Sequence, residues 1–251
     1  MNKKYTDVNR ESVNRWVSSG WEWGTPITHQ QYIDARNGKW DVLLTPVTPV
    51  PHSWFGNPTG KKVLGLASGG GQQMPIFNAI GADCTVFDLS DRMLEAENLV
   101  ASREGYSIRA IQGDMTEPLP FEDEEFDLIF NPVSNCYIQD LMPVFRECFR
   151  ILKKGGILMV GFDNGLGYAF NDEQTALIHK LPFNPLEDPA LMKELEDEDG
   201  GIQFSHTLKE EIGGQIEAGL VIQDIFEDTI HYGLLEKFNV PTFCATLARK
   251  N

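Results

Sequence analysis

Two hydrophobic rhythms alternate between residues 61 and 165. Short apolar runs predict strands over 63–67, 83–88, 107–112, 126–131 and 157–162. Between them, apolar positions three and four apart predict helices over 72–80, 90–103 and 141–152. Ser90 stands as the N-cap of the second helix, with Asp91 in its first turn. Lys153-Lys154-Gly155-Gly156 reads as the end of the third, with the lysines at its negative end and the glycines as its stop. Ile157-Leu158-Met159-Val160 shows no polar alternation, which suits a strand covered on both faces. Strand and helix in turn, with such strands, predict a parallel, doubly wound α/β sheet.

The rhythm changes after Asp163. Residues 165–205 are polar and acidic, hold three prolines, and read as an insertion with short helices over 172–179 and 189–196. Thr207, with Glu210 three positions on, makes a capping box for a helix over 207–218. Apolar runs over 220–226 and 242–248 close the chain as two strands with no βα rhythm between them, so antiparallel pairing is expected.

Residues 1–60 follow neither pattern. Helices are expected over 8–18, ending at Ser19-Gly20, and over 29–36, capped by Thr28 and stopped by Asn37-Gly38. Thr45-Pro46-Val47-Thr48-Pro49-Val50-Pro51 reads as an extended crossing. All five tryptophans, Trp16, Trp21, Trp23, Trp40 and Trp54, lie in this part. The expectation is an N-terminal helical and aromatic cap over 1–60 on a main domain over 61–251. The tryptophans serve as its core and anchors, or wall a substrate pocket.

Composition narrows the partners. The formal charge of −16 repels phosphate backbones, which disfavours a nucleic-acid partner. No apolar run reaches the length of a membrane span, and Met1-Asn2-Lys3-Lys4-Tyr5-Thr6-Asp7 lacks the apolar core of a signal peptide, so a cytoplasmic setting is expected. Cys84, Cys136, Cys148 and Cys244 form no C-x-x-C pair and read as reduced, buried thiols. The histidines have no ligand spacing, so no metal site is expected.

The chemistry sits at the strand ends, where ligands bind in open parallel sheets. The first strand runs into Ala67-Ser68-Gly69-Gly70-Gly71-Gln72, a glycine turn that lets a ligand approach the backbone. The second ends at Asp88-Leu89, a carboxylate suited to two ribose hydroxyls. The third ends at Gly113-Asp114-Met115, whose acid suits the exocyclic amine of a base. The fourth ends at Asn131-Pro132 and the fifth at Asp163-Asn164.

With these residues the chain resembles the class I S-adenosylmethionine-dependent methyltransferases, in a bacterial-type group of their small-molecule branch. The resemblance covers about residues 61–165 and the two closing strands, and also rests on Pro120-Phe121, Phe126-Asp127-Leu128-Ile129 and Leu152-Lys153-Lys154-Gly155-Gly156. It implies a Rossmann-like doubly wound seven-stranded sheet, mostly parallel with a C-terminal antiparallel hairpin and helices on both faces. It implies S-adenosyl-L-methionine as cofactor, held by Ala67 to Gln72, Asp88, Leu89, Gly113, Asp114, Met115 and Asn131. The first motif departs at two places: Gly65 stands where the family has an acid, and Ala67 where it has its first glycine. The amino-group anchor is then expected from Gln72, Gln73 or an N-terminal side chain.

The reaction implied is in-line displacement at the sulfonium methyl, with a small-molecule acceptor. Tyr137, Asp163 and His206 are the candidates for a direct chemical role. Asn131-Pro132 begins like the N-P-P-aromatic motif of amino-group methyltransferases but continues as Val133-Ser134. Two alternatives stand beside this reading. Gly65-x-Ala67-x-x-Gly70 can be laid on the fingerprint of a nicotinamide-dependent oxidoreductase, and the missing acid at Gly65 leaves room for a non-catalytic cofactor-binding protein.

Overall fold

The computed structural model describes residues 4–251; residues 1–3, where the expected cap begins, lie outside the described residues. In chain order the elements are α1 (Tyr5–Ser18), α2 (His29–Arg36), β1 (Lys62–Leu66), α3 (Gln73–Ala79), β2 (Asp83–Asp88), α4 (Asp91–Glu104), β3 (Arg109–Gln112), β4 (Phe126–Asn131), α5 (Met142–Ile151) and β5 (Leu152–Asp163). They continue with α6 (Leu166–Ala169), α7 (Pro189–Asp197), α8 (Gly214–Glu217), β6 (Leu220–Asp228), α9 (Gly233–Lys237) and β7 (Phe243–Lys250). The seven strands form one sheet in the order β3-β2-β1-β4-β5-β7-β6, with β7 antiparallel to both of its neighbours. The doubly wound sheet with its closing antiparallel pair is the one expected.

Successive residues of β1 point to opposite faces, and both faces are covered. Val63 joins one core with Phe77, Val86, Phe130 and Met159. Leu64 and Leu66 join the other with Phe87, Ile129, Phe145, Ile151 and Phe162. Ile27, Tyr32, Leu44, Trp54 and Phe55 lie within the first core, so the N-terminal segment packs directly on the sheet. Between them Gly161 of β5 lets the chain pass close: a Cβ there would stand 1.9 Å from the Leu44 carbonyl oxygen.

Four local expectations are corrected. The proline-rich segment does not cross extended; it doubles back, with Leu43 bridging Pro49 and Val50 N–H donating to Val42 O. The cause is Asp228 on β6, whose carboxylate accepts from Val47 N, Thr48 N and Thr48 Oγ1 and gathers the loop around itself. No helix forms over 172–179, because the Asn171 side chain accepts from Thr175 N and Ala176 N and closes a turn there. Lys153 to Gly156 belong to β5 rather than to the helix end: Leu152 already pairs with Phe126, a register irregularity follows, and Lys153 Nζ sits 2.7 Å from Asp127. The helix after Thr207 keeps its capping box with Glu210 but opens with a wide π-type turn over Lys209–Gly213 before α8.

Gly65 pairs with Val86 and Phe130 in the middle of the sheet. A Cβ there would stand 2.8 Å from Met74 Sδ and 2.9 Å from its Cγ. Met74 of α3 thus fills the volume in which the family's acid would stand. Restoring that acid by Gly65→Asp is expected to destabilise the fold by about 1–3 kcal/mol through overpacking alone. The midpoint of urea unfolding reads this, and a midpoint at or above the parent value would refute it.

Candidate active site

The carboxyl ends of the central strands open onto a cavity of about 280 Å³. Its wall includes Ala67, Ser68, Gly69, Gln72, Asp88, Leu89, Gly113, Asp114 and Met115, and beyond them Ser134, Tyr137 and Asp163. The N-terminal segment supplies Trp21, Trp23 and the 43–46 loop. Of the tryptophans, these two reach the cavity. Trp54 is buried with Nε1 donating to Asp224, Trp40 stacks on His52, and Trp16 packs against Trp21 and Tyr137.

The glycine turn is shaped by its own hydrogen bonds. Ala67 has φ +48, a left-handed conformation that explains why glycine is the usual residue there. Gly69 N donates to Asp88 Oδ2 at 3.0 Å, Gly70 N to Met93 O at 2.9 Å and Gly71 N to Glu97 Oε1 at 2.8 Å. These amides, expected to face a ligand, are occupied within the protein. Gly70 and Gly71 turn away from the cavity: a Cβ on Gly70 would meet Trp23 O at 2.5 Å, and one on Gly71 would meet Ala96 O at 2.9 Å. Ser68 is the turn's side chain on the cavity wall, itself 2% exposed. Its Oγ is buried beside the cavity and has no hydrogen-bond partner among the described residues.

Asp88 is 7% exposed and accepts from Gly69 N and Ser90 N, which leaves lone pairs open to the cavity. Burial pushes its carboxyl up to about 6 against those two N–H donors. Asp114 is more engaged: Oδ1 accepts from Thr116 N and Oγ1, and Oδ2 from Lys4 Nζ at 2.9 Å. Gln72 Nε2 donates to Glu22 O and Thr25 O, and Gln73 Oε1 accepts from Leu43 N, so each of these amides ties the sheet to the N-terminal segment.

Two expected site residues stand behind the wall. Asn131 is 1% exposed and its Nδ2 donates to Leu66 O and Ser134 Oγ, bracing the ends of β1 and β4. His206 Nε2 lies 2.9 Å from Ile138 O and 3.2 Å from Asn135 O; facing two acceptors it must donate. Burial lowers its pKa below the ordinary imidazole value. Tyr137 and Asp163 do reach the cavity. Asp163 accepts from Gly165 N, and burial pushes its carboxyl up to about 7.

Two buried acids were missed by sequence reasoning. Glu97 is fully enclosed, bonded to Gly71 N through Oε1, with Oε2 unpartnered. The signal was present: Glu97 falls in the apolar spacing of Met93, Leu94 and Val100. Glu211, 1% exposed, accepts from Asn135 Nδ2 at 2.7 Å. Burial pushes both up to about 8. With Asp88 and Asp163 they keep protons in the folded state at pH values where the unfolded chain has lost them. At these four groups the folded state then binds more protons, so the stability they contribute is fully present below the unfolded carboxyl range and is lost as pH rises towards about 8. Thermal melts are expected to show a lower Tm at pH 8 than at pH 6. Glu97→Gln and Glu211→Gln are each expected to flatten that slope; a Tm rising across the interval in the parent protein would contradict it.

Comparison with known proteins places the chain. A family model described as "Methyltransferase domain" matches residues 64–160. The Bacillus subtilis (strain 168) protein named uncharacterized methyltransferase YbaJ is 36% identical over 249 residues, covering 96% of this chain and 97% of that protein. Among solved structures, an S-adenosylmethionine-dependent methyltransferase from Mesorhizobium loti aligns with TM-score 0.64 at 20% identity, over 79% of this chain and 94% of that one. Geranyl diphosphate C-methyltransferase from Streptomyces coelicolor A3(2), solved with geranyl diphosphate and S-adenosyl-L-homocysteine, aligns with TM-score 0.59 at 14% identity over 100% of this chain and 99% of that one. The oxidoreductase and non-catalytic alternatives find no support in these matches.

Proposed function

As the chain belongs to the class I S-adenosylmethionine-dependent methyltransferases, we propose that it methylates a small-molecule acceptor inside the cavity at the sheet's carboxyl edge. The observation that supports this is that one enclosed space joins the residues suited to the cofactor with a second set suited to an acceptor. On the cofactor side Asp88 accepts from the ribose hydroxyls, and Asp114 accepts from the adenine amine alongside Lys4. Ser68 Oγ meets a polar atom of the methionine part, and Ala67, Gly69, Leu89, Gly113 and Met115 shape the groove. Gly70 and Gly71 support the turn from behind. When bound, S-adenosylmethionine supplies a methyl group already activated by the sulfonium charge.

The chain's own residues then orient the acceptor and keep water out. Residues 1–60 act as a cap, with Trp21, Trp23 and the Asp228-held loop as its roof, and 165–205 as an insertion that contributes Tyr168 to the wall. A cavity of about 280 Å³ within an acidic surface of charge −16 suits a metabolite better than a nucleic acid. Among the described residues no helix is long and apolar enough to cross a membrane, and all four cysteines are free and buried, which fits a reducing cytoplasmic setting.

The test uses S-adenosylmethionine carrying a deuterated methyl group, incubated with the protein and with separated small-molecule, protein and RNA fractions of a bacterial lysate. Label is expected in the small-molecule fraction. Label confined to protein or RNA would replace the proposed acceptor class.

A further inference from the structure

The charged side chains on the cavity wall are Asp88, Asp114 and Asp163, and among the described residues no Lys, Arg or His lines it. Asp88 and Asp114 lie at the ends of β2 and β3, on the side proposed for the adenosine. Asp163 ends β5, which is separated from β2 by β1 and β4. Three strand spacings put it about 14 Å from the ribose acid. It is therefore the acid left for the acceptor.

Its surroundings limit what that acceptor is. Oδ1 of Asp163 accepts from Gly165 N, and among the described residues no hydrogen bond ends on Oδ2. Three rings stand at the same end of the cavity: Tyr137, Tyr168 from α6, and Phe243, the residue paired with Asp163 across β5 and β7. Glu211 lies behind, its carboxyl held protonated up to about 8 by burial and by the charge of Asp163, so it offers no counter-charge. An anionic acceptor would meet acids and no counter-charge. A neutral acceptor without an N–H or O–H would leave Oδ2 unpaired. A protonated amine supplies both a donor for the carboxylate and a positive charge for the ring faces.

We propose that the methyl acceptor is a primary or secondary amine on an apolar body, bound as its ammonium through Oδ2 of Asp163 and enclosed by Tyr137, Tyr168 and Phe243. The inference rests on the methyl-transfer reading above and adds the substrate class. The ammonium gives one proton to the Asp163 carboxylate. The freed nitrogen lone pair forms the N–C bond to the methyl carbon. The S–C bond breaks, and its electron pair stays on sulfur as a neutral thioether. The positive charge leaves on the methylated ammonium, and the carboxyl returns its proton to solvent.

Three probes with matched skeletons test the site by binding alone. Isothermal titration uses the full chain saturated with S-adenosylhomocysteine, titrated with 2-phenylethylamine, 2-phenylethanol or 3-phenylpropionate at neutral pH. The amine is expected to bind at least tenfold tighter than the alcohol, and the carboxylate most weakly. Asp163→Asn is expected to erase the preference for the amine while S-adenosylhomocysteine affinity stays within threefold. Tyr168→Leu, at a partly exposed position that tolerates exchange, is expected to weaken the amine several-fold more than the alcohol. The proposal is overturned if the carboxylate binds as tightly as the amine, if the order survives Asp163→Asn, or if none of the three probes binds. Failure of S-adenosylhomocysteine itself to bind is a different result, and would overturn the methyl-transfer reading instead.

Discussion

Asp88→Ala is expected to raise the Kd for S-adenosylmethionine by about 100-fold or more. A carboxylate taking two ribose hydroxyls makes two charge-assisted hydrogen bonds, each worth about 1.5–3 kcal/mol. Together they correspond to about 10²–10⁴ in Kd. Asp88 also organises the turn, since it accepts Gly69 N at 3.0 Å and Ser90 N at 2.9 Å. Alanine leaves both N–H groups without that acceptor, so part of the loss comes through a displaced glycine turn. Asp88→Asn separates the two effects, because the amide keeps one accepting oxygen and nearly the same volume. It is expected to fall between the parent and the alanine variant. Titration calorimetry gives the affinities and circular dichroism checks the fold. An alanine variant that folds and binds within threefold of the parent would remove Asp88 from the cofactor site.

The strength of that prediction comes from features legible in the sequence. The strands over 83–88 and 126–131 and the helix over 29–36 have the observed bounds, the strands from their apolar runs and the helix from its Thr28 cap and Asn37-Gly38 stop. Asp88 follows from the first of these, since an acid at the end of a buried parallel strand faces the ligand crevice. What was not legible has one physical origin. A backbone amide or a carboxylate declares its chemistry in the sequence, but not its partner. Gly70 and Gly71 look like a ligand cradle, yet their N–H groups go to Met93 O and Glu97 Oε1. The segment over 45–51 looks extended, yet Asp228, far along the chain, folds it back. Asn131 sits at the right strand end, yet its Nδ2 goes to Leu66 O and Ser134 Oγ.

Gly65 and Glu97 show the same limit from the other side. The absent acid in β1 is plain in the sequence, while the residue now supporting the turn from behind is not. Met74 occupies the space at Gly65, and Glu97 reaches Gly71 from α4 on the far side of the turn. The turn keeps an acid beneath it, carried by a helix instead of the strand. Glu97 is not on the cavity wall, so this support shapes the loop and does not bind the cofactor.

Asp163→Asn is expected to lower kcat by about 10²–10⁴-fold, the usual range for losing a positioned general base. The asparagine keeps the acceptor oxygen for Gly165 N, so the turn after β5 is retained and S-adenosylmethionine affinity is expected to change less than threefold. The pH profile separates a chemical role from a structural one. The carboxyl of Asp163 is pushed up to about 7 by burial, and only its deprotonated form accepts a proton. The parent kcat/KM is therefore expected to rise with pH, tenfold per unit below about 7, and to level off above it. The groups facing Asp163 are Cys136 and Tyr137 after β4, Tyr168 on α6, Glu211 in the π-type turn and Cys244 on β7. Burial holds all of these above their ordinary values, and Glu211, the nearest in value, titrates up to about 8. Glu211→Gln replaces a carboxyl that keeps its proton up to about 8, and is expected to leave the limb at about 7 and its slope in place. In Asp163→Asn the limb at about 7 should vanish from the residual activity. A variant whose activity falls but whose limb stays in place would assign the base elsewhere and leave Asp163 a structural carboxyl.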